Sequence, residues 1–311
     1  MELQKKQIIA HLQTHGLEGG VIPVDRLPLI RDEINKWHHD KMLSDEVHSE
    51  YIAWFDYDHQ NFLPEARSII TVAVPDVQTK IIFTWHKETH PFTVPPTYLH
   101  WHQINKKAED VLLKILVPAR HKLVPAKLPL KLTAMHSGIG QYGRNNVFYI
   151  ANKGSFHRLA CFFSDCPCGE DGGSWVDLSH LPRCEKCDIC VKSCPTGAIH
   201  RERFLVSAER CITFHNERSG DIPFPDWLKP AWHNCLVGCM ICQKVCPENK
   251  AFLQHIRPGA TFTQNETELL VGKKLPDILP PELEAKLKES DLLEILDIIP
   301  RNLRALLGID S

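Results

Sequence analysis

The first 160 residues of this 311-residue chain contain no cysteine, and all twelve cysteines fall between Cys161 and Cys246. That crowding excludes a disulfide framework spread through the fold, and a chain of this length builds core enough to do without one. Also missing is any apolar run near the ~20 residues of a membrane span. Met1 to Gly20 reads as a polar amphipathic helix rather than a signal peptide, so a cytoplasmic protein with no membrane partner is expected. Positive charge is not in excess, with 36 Lys+Arg against 38 Asp+Glu, and a nucleic-acid partner is therefore expected to be unlikely. There is no repeat of solenoid length. The one duplicated pattern lies in the cysteines, and clustered thiols in a reducing compartment point to metal.

What is present before the cysteines is mixed α/β. Leu3, Ile8, Ile9 and Leu12 share one side of an opening helix, and Val21 to Val24 suits a short strand after Gly19-Gly20. Arg67 to Pro75 is continuous and β-branched between prolines, as a buried strand requires. A Pro- and aromatic-rich loop is expected from His90 to Tyr98. Ile104, Ala108, Val111, Leu112 and Ile115 then recur at helical spacing over 101–116. From residue 251 the chain turns acidic, with seven Lys/Arg and ten Asp/Glu, and Leu283, Leu287, Leu292, Leu293 and Leu296 mark short helices. A tail this small is expected to pack back onto the body.

Cys184, Cys187, Cys190 and Cys194, followed by Pro195, have the 2-2-3 spacing of a bacterial ferredoxin run. In that run three thiolates wrap one [4Fe-4S] cube and the fourth, redirected by the proline, ligates a second. Paired CxxC units also suit tetrahedral zinc, but not with this spacing and proline. A second run, Cys235, Cys239, Cys242 and Cys246 before Pro247, has a first gap one residue too long. With Cys211 there are nine candidates for eight positions. Crossed ligation gives Cys184, Cys187, Cys190 and Cys246 to one cube. It gives Cys194, Cys239 and Cys242 to the other, together with either Cys211 or Cys235. Cys161, Cys166 and Cys168 lack a complete ligand spacing and read as incidental thiols beside a turn.

The segments Leu63 to Ile70, Trp101 to Lys107, Ser137 to Asn146 and Arg210-Cys211-Ile212 resemble those of the epoxyqueuosine reductases and the corrinoid-dependent reductive dehalogenases. The resemblance implies an α+β protein divided into a nitroreductase-like cobalamin-binding domain (1–175), a two-cluster ferredoxin-like domain (176–255) and a helical tail (256–311). It also implies that Cys211, not Cys235, is the eighth ligand. Cobalamin in its base-off form is expected against the glycine-rich segment, at Ser137, Gly138, Gly140, Gly143, Asn145 and Asn146, where glycine lets main chain approach a flat macrocycle. The reductases' proton-donating aspartate falls near Val124, and Val124 to Lys131 holds no acid. Tyr142 and Arg144, flanking Gly143, are the substitutes expected to supply a proton and a cation.

The reductases' C-terminal helical repeat and the dehalogenases' twin-arginine signal have no counterpart here, and the leading expectation is a cytoplasmic cobalamin-dependent iron-sulfur reductase. It would take electrons from a reduced ferredoxin or flavodoxin-type donor and cleave a small organic substrate. The alternatives are an electron-transfer protein that reduces a partner's corrinoid, and a tRNA epoxyqueuosine reductase.

Overall fold

The computed structural model describes residues 3–168, 175–272 and 278–309. In chain order the helices are α1 (Lys5–Thr14), α2 (Leu27–His39), α3 (Asp45–Val47), α4 (Trp101–Leu116), α5 (Leu130–His136), α6 (Ile189–Ser193), α7 (Ile212–Glu217), α8 (Ile241–Lys244), α9 (Gln264–Leu270), α10 (Pro281–Glu289) and α11 (Ile299–Leu307). The strands are β1 (Glu18–Pro23), β2 (Ser68–Pro75), β3 (Gln78–Trp85), β4 (Glu88–Val94), β5 (Leu123–Pro125), β6 (Gln141–Tyr142), β7 (Phe148–Tyr149), β8 (His157–Ser164) and β9 (Ile256–Phe262). Among the described residues, no helix is long and apolar enough to cross a membrane.

These elements form two compact units that interleave along the chain. One contains Met1–Pro75, Trp101–Cys187 and His200–Ser207, and the other Asp76–His100, Asp188–Ile199 and Ala208–Ser311. The expected boundaries at 175 and 255 thus divide the sequence without following the packing, because residues 76–100 fold with the tail.

The first unit is built on a four-stranded antiparallel sheet in the order β1-β2-β8-β5. Its central strand β2 is the β-branched run Ser-Ile-Ile-Thr-Val-Ala-Val-Pro, and successive side chains point to opposite faces. Ile70, Val72 and Val74 pack with Ile8 and Leu12 of α1 and with Val111 and Leu112 of α4. On the other face Ile69 joins Leu27, Ile30 and Ile34 of α2, while Ala73 joins Ala134 and Met135 of α5. Burying one such Ile or Leu side chain contributes about 1.5–3 kcal/mol, so a strand covered on both faces is where this unit is most stable. The neighbouring strand β8 was not legible, because the polar pair His157-Arg158 opens it. It carries Cys161 into the middle of the sheet, opposite Thr71, rather than beside a turn.

The second unit centres on a three-stranded sheet in the order β4-β3-β9. Its hairpin replaces the loop expected from His90 to Tyr98, since β4 runs through His90 to Val94. The turn is the reason it was hidden. His86 and Lys87 have φ of 51° and 67°, the left-handed pair of a two-residue hairpin, without the Asn-Gly signature that announces one. Strand β9 of the tail then pairs parallel to β3, and the Phe83 and Phe262 rings stack at 4.9 Å. Leu283 and Leu287 of α10 and Ile299 and Leu303 of α11 close the same core over Leu236 and Val237. The tail therefore supplies a strand as well as helices.

Asn302 of α11 is fully buried and donates from Nδ2 to the carbonyls of Asn216 (2.8 Å) and Leu236 (3.0 Å). Asn302→Ala removes the donor to the Leu236 carbonyl, leaves the Asn216 carbonyl to Arg301 alone and opens a small cavity. We expect it to cost on the order of 2–4 kcal/mol, seen as a lower denaturation midpoint, whereas the exposed Lys288→Ala should stay within about 0.5 kcal/mol.

Candidate metal centre

Within the second unit, α6 and α8 pack against each other and repeat one design. Cys190 lies in α6 and Cys194 ends it, while Cys242 lies in α8 and Cys246 follows its last turn. Cys194 (φ −73°, ψ 112°) and Cys246 (φ −71°, ψ 125°) share an extended conformation. Pro195 and Pro247 enforce it, because a residue preceding proline is steered away from the helical region. Each proline thus turns the last cysteine of its run out of the helix that carries the cysteine before it.

Cys211 caps α7 at its N-terminus. Burial pushes its thiol up to about 11, nearby Cys239 and Cys194 push it the same way, and the Thr213 N–H and hydroxyl oppose them. Cys239 is likewise raised, first by burial and also by Cys194, against hydrogen bonds from Asn234 and the Ile241 N–H. Cys211 and Cys239 are therefore gathered beside Cys194, where burial and neighbouring sulfur oppose ionisation of the first two. Their sulfurs already accept hydrogen bonds as thiolates do, and cationic iron removes the penalty. The donor set fits a cluster. Among the described residues, no three Cys, His, Asp or Glu side chains converge closely enough to hold a single metal ion.

Cys235 differs. It is fully buried, its thiol pushed up to about 12 by burial first and then by Cys239. Its Sγ–H donates to Asn234 Oδ1 at 3.2 Å. The loop around it is fixed by Asn216, whose Oδ1 accepts from the Gly238 N–H (2.8 Å) and whose Nδ2 donates to the Gly238 carbonyl (2.7 Å). Gly238 has φ +70°, and a Cβ there would lie 2.6 Å from the Tyr98 hydroxyl. Asn216 and Asn234 were missed from sequence, since a lone Asn beside a cysteine run carries no spacing signal.

Cys184 and Cys187 lie in the first unit, whereas Cys190 and Cys246 lie in the second. The Cys184 loop is templated by the β6–β7 hairpin: the Leu181 N–H donates to the Tyr142 carbonyl (2.8 Å), and the Cys184 N–H to the Leu181 carbonyl (2.8 Å). The Arg144 N–H points at Cys184 Sγ (3.5 Å), and its guanidinium donates to the Cys184 and Arg201 carbonyls. Arg144 is therefore occupied with main chain and is not offered as a free cation. Tyr142, only 3% exposed, packs edge-on to Phe148 and Phe204. Burial first, and Glu33 second, hold its phenol well above the ordinary range, so it is not a ready proton donor.

The glycine-rich segment is a helix end followed by this tight hairpin. Gly138, at φ +82°, ends α5, and its N–H donates to the Met135 carbonyl, as a left-handed cap does. At Gly143 a Cβ would come within 2.5 Å of Asn145 Oδ1 and the Tyr149 ring, and at Gly140 within 2.7 Å of Phe148. These two glycines are demanded by the hairpin's own second strand. Ser137 Oγ donates to the Ala134 carbonyl (2.9 Å), and Asn145 Nδ2 to the Tyr149 hydroxyl (2.9 Å). Asn146 is the exception: at φ +59° it holds a buried Oδ1 with no partner among the described residues. Val124 lies in β5 opposite Phe163, half-buried against the core. Cys161 is pushed up to about 12 by burial, as is Cys168, and Cys166 is fully buried beside them in sequence; these are inert core thiols.

Residues 183–249 match the family described as 4Fe-4S double cluster binding domain. The epoxyqueuosine reductase of Bacillus subtilis is 28% identical over 211 residues, 63% of this chain and 51% of the relative. That of Prochlorococcus marinus is 32% identical over 38% of this chain and 40% of the relative, so the chain aligns with about half or less of the length of these curated relatives. A solved Bacillus subtilis epoxyqueuosine reductase superposes with a TM-score of 0.68, at 22% identity, over 98% of this chain and 81% of that one. This is the epoxyqueuosine reductase fold. A catabolic reductive dehalogenase overlays over 76% of the chain with a TM-score of 0.38, a distant similarity.

Two expectations are corrected by these matches. The relatives are epoxyqueuosine reductases, and one solved at a TM-score of 0.66 holds an epoxyqueuosine-modified tRNA stem loop. That runs against a small organic substrate and against an unlikely nucleic-acid partner. Whole-chain charge was the wrong observable. From Val111 to Ser164 there are eight Lys/Arg and no Asp/Glu, a local excess offset in the total by the acidic balance of the rest of the chain.

Cys211→Ala should lower iron from about eight atoms per chain to about four, because one of two four-iron cubes loses a ligand, whereas Cys235→Ala should keep about eight. Iron and acid-labile sulfide analysis after anaerobic purification checks this; equal loss in both variants contradicts the ligand assignment.

Proposed function

We propose that this chain is an iron-sulfur oxidoreductase that reduces epoxyqueuosine in tRNA. The observation that carries the reading is the shared fold over 98% of the chain together with the double-cluster match at 183–249. We assign Cys184, Cys187, Cys190 and Cys246 to one cube and Cys194, Cys211, Cys239 and Cys242 to the other. Two electrons and two protons convert the epoxide to an alkene, with its oxygen leaving as water.

Cobalamin is the group we propose between clusters and substrate; when bound it supplies a low-potential metal centre able to accept electrons singly. Asn146 fits it best, since a buried, unpartnered amide oxygen suits a cofactor whose rim is made of amides. Ser137, Gly138, Gly140, Gly143 and Asn145 act by shaping the backbone around Asn146. Tyr142 and Arg144 we assign to framing Cys184.

The tRNA backbone is met on this reading by exposed side chains of the acid-free stretch, among them Lys114, Arg120, Lys127 and Lys131. Phosphate contacts of this kind release counterions, so affinity falls steeply with salt.

The test is anaerobic incubation of the reconstituted protein with hydroxocobalamin, a strong reductant and an epoxyqueuosine-containing tRNA stem loop. Loss of one oxygen from the modified nucleoside, read by mass spectrometry, is the expected result. No conversion with both clusters loaded overturns the reading. Lys127→Glu combined with Lys131→Glu should weaken stem-loop binding at least about tenfold at low salt, measured by filter binding.

A further inference from the structure

Two clusters need eight thiolates, and Cys235 is the ninth candidate, left over by the function proposed above. Its surroundings give it a purpose. Asn234 Oδ1 accepts from the Met240 N–H (2.9 Å) and from Cys235 Sγ–H (3.2 Å). The amide is thereby oriented, because turning it over would set its NH2 against two donors. Its Nδ2 then donates to the Trp232 carbonyl (3.2 Å) and to Cys239 Sγ (3.1 Å).

We propose that Asn234, held in place by Cys235, sets the reduction potential of the cluster ligated by Cys239. A reduced cluster carries one more negative charge than an oxidised one, and some of that charge resides on its cysteine sulfurs. A fixed N–H directed at such a sulfur stabilises the reduced state more than the oxidised state and raises the potential. Cys235 acts at one remove: its S–H fills one of the two acceptor positions on Oδ1, so it is a positioning residue and not a ligand. The cluster on Cys239 is in this way made easier to reduce than its bare sulfur ligands alone would allow. The two cubes of one chain are otherwise held by near-identical helix-and-proline designs, and this amide distinguishes Cys239 from the rest of its run. The inference rests on the cluster assignment and not on the identity of the substrate.

The test is a potentiometric titration of the full, cluster-loaded chain followed by electron paramagnetic resonance. Asn234→Leu should move one of the two midpoint potentials to a lower value and leave the other in place. Cys235→Ser, which keeps a donor, should change neither. Cys235→Ala should move the same potential in the same direction by a smaller amount. Unchanged potentials in Asn234→Leu with both clusters present overturn the proposal. Should that variant fail to hold its cluster, the wild-type protein decides. Labelled with nitrogen-15 asparagine and reduced, it should show a nitrogen coupling to one cluster in pulsed resonance, and its absence is equally fatal. These readouts do not involve tRNA, so a failure to convert epoxyqueuosine leaves them standing. Wild-type protein without iron or sulfide is instead a failure of the cluster assignment.

Discussion

Burial and neighbouring sulfur both oppose ionisation of Cys211 and Cys239, and much of the second unit can be understood as the scaffold that keeps them together regardless. The chain must hold sulfurs at fixed positions on loops and helices of only four to six residues, too short to be stable alone. It does so with buried amides. Asn216 binds both polar groups of Gly238, and Asn302 reaches from the last helix to the carbonyls of Asn216 and Leu236. Arg301 beside it donates to the carbonyls of Ser219, Ile222 and Arg218. Irregular backbone buried near a metal site leaves carbonyls and N–H groups without ladder partners, and amide and guanidinium side chains are what satisfies them. This is why the tail belongs to the metal-binding unit: it contributes the donors that the loops lack.

The first unit solves the same problem by a different route. Its sheet is covered on both faces by helices, and the rigidity this gives extends through α5 into the β6–β7 hairpin. The hairpin offers the Tyr142 carbonyl as a template for Leu181 and the Arg144 guanidinium as a clamp on Cys184 and Arg201. A buried arginine with two carbonyl partners costs desolvation that a surface arginine does not, and here the return is a fixed main-chain conformation at Cys184. The glycine-rich segment, which by composition suggests a cradle for a cofactor, is thus first a device for bringing a hairpin close enough to hold a cysteine loop.

What could be read from residues alone follows from where the physical information sits. The strand at Arg67 to Pro75 and the helix over 101–116 declare themselves because their own side chains make the pattern. The cluster ligands do so because iron fixes the spacing of thiols along the chain. The β3–β4 hairpin was hidden since His86 and Lys87 adopt left-handed angles that their types do not advertise. Strand β8 was hidden by its polar start, and β9 because its partner β3 lies far away in sequence. The roles of Asn216, Asn234 and Asn302 depend wholly on what faces them, and no periodicity encodes that. The aromatic packing around Tyr142 and the carbonyl partners of Arg144 depend likewise on residues distant in sequence.

Net charge shows the same limit from another side. A total of −2 hides a stretch, Val111 to Ser164, with no acid at all inside a chain that is otherwise acidic, and a polyanion meets the local field rather than the sum. That stretch includes Val124 to Lys131, where the resemblance places a proton-donating aspartate. Here Val124 is paired with Phe163 in the sheet and half-buried at the edge of the core. A carboxyl group beside such apolar neighbours would hold its proton more readily than a surface one, and valine has none to give. What the stretch does present is positive charge, on the exposed Lys127 and Lys131.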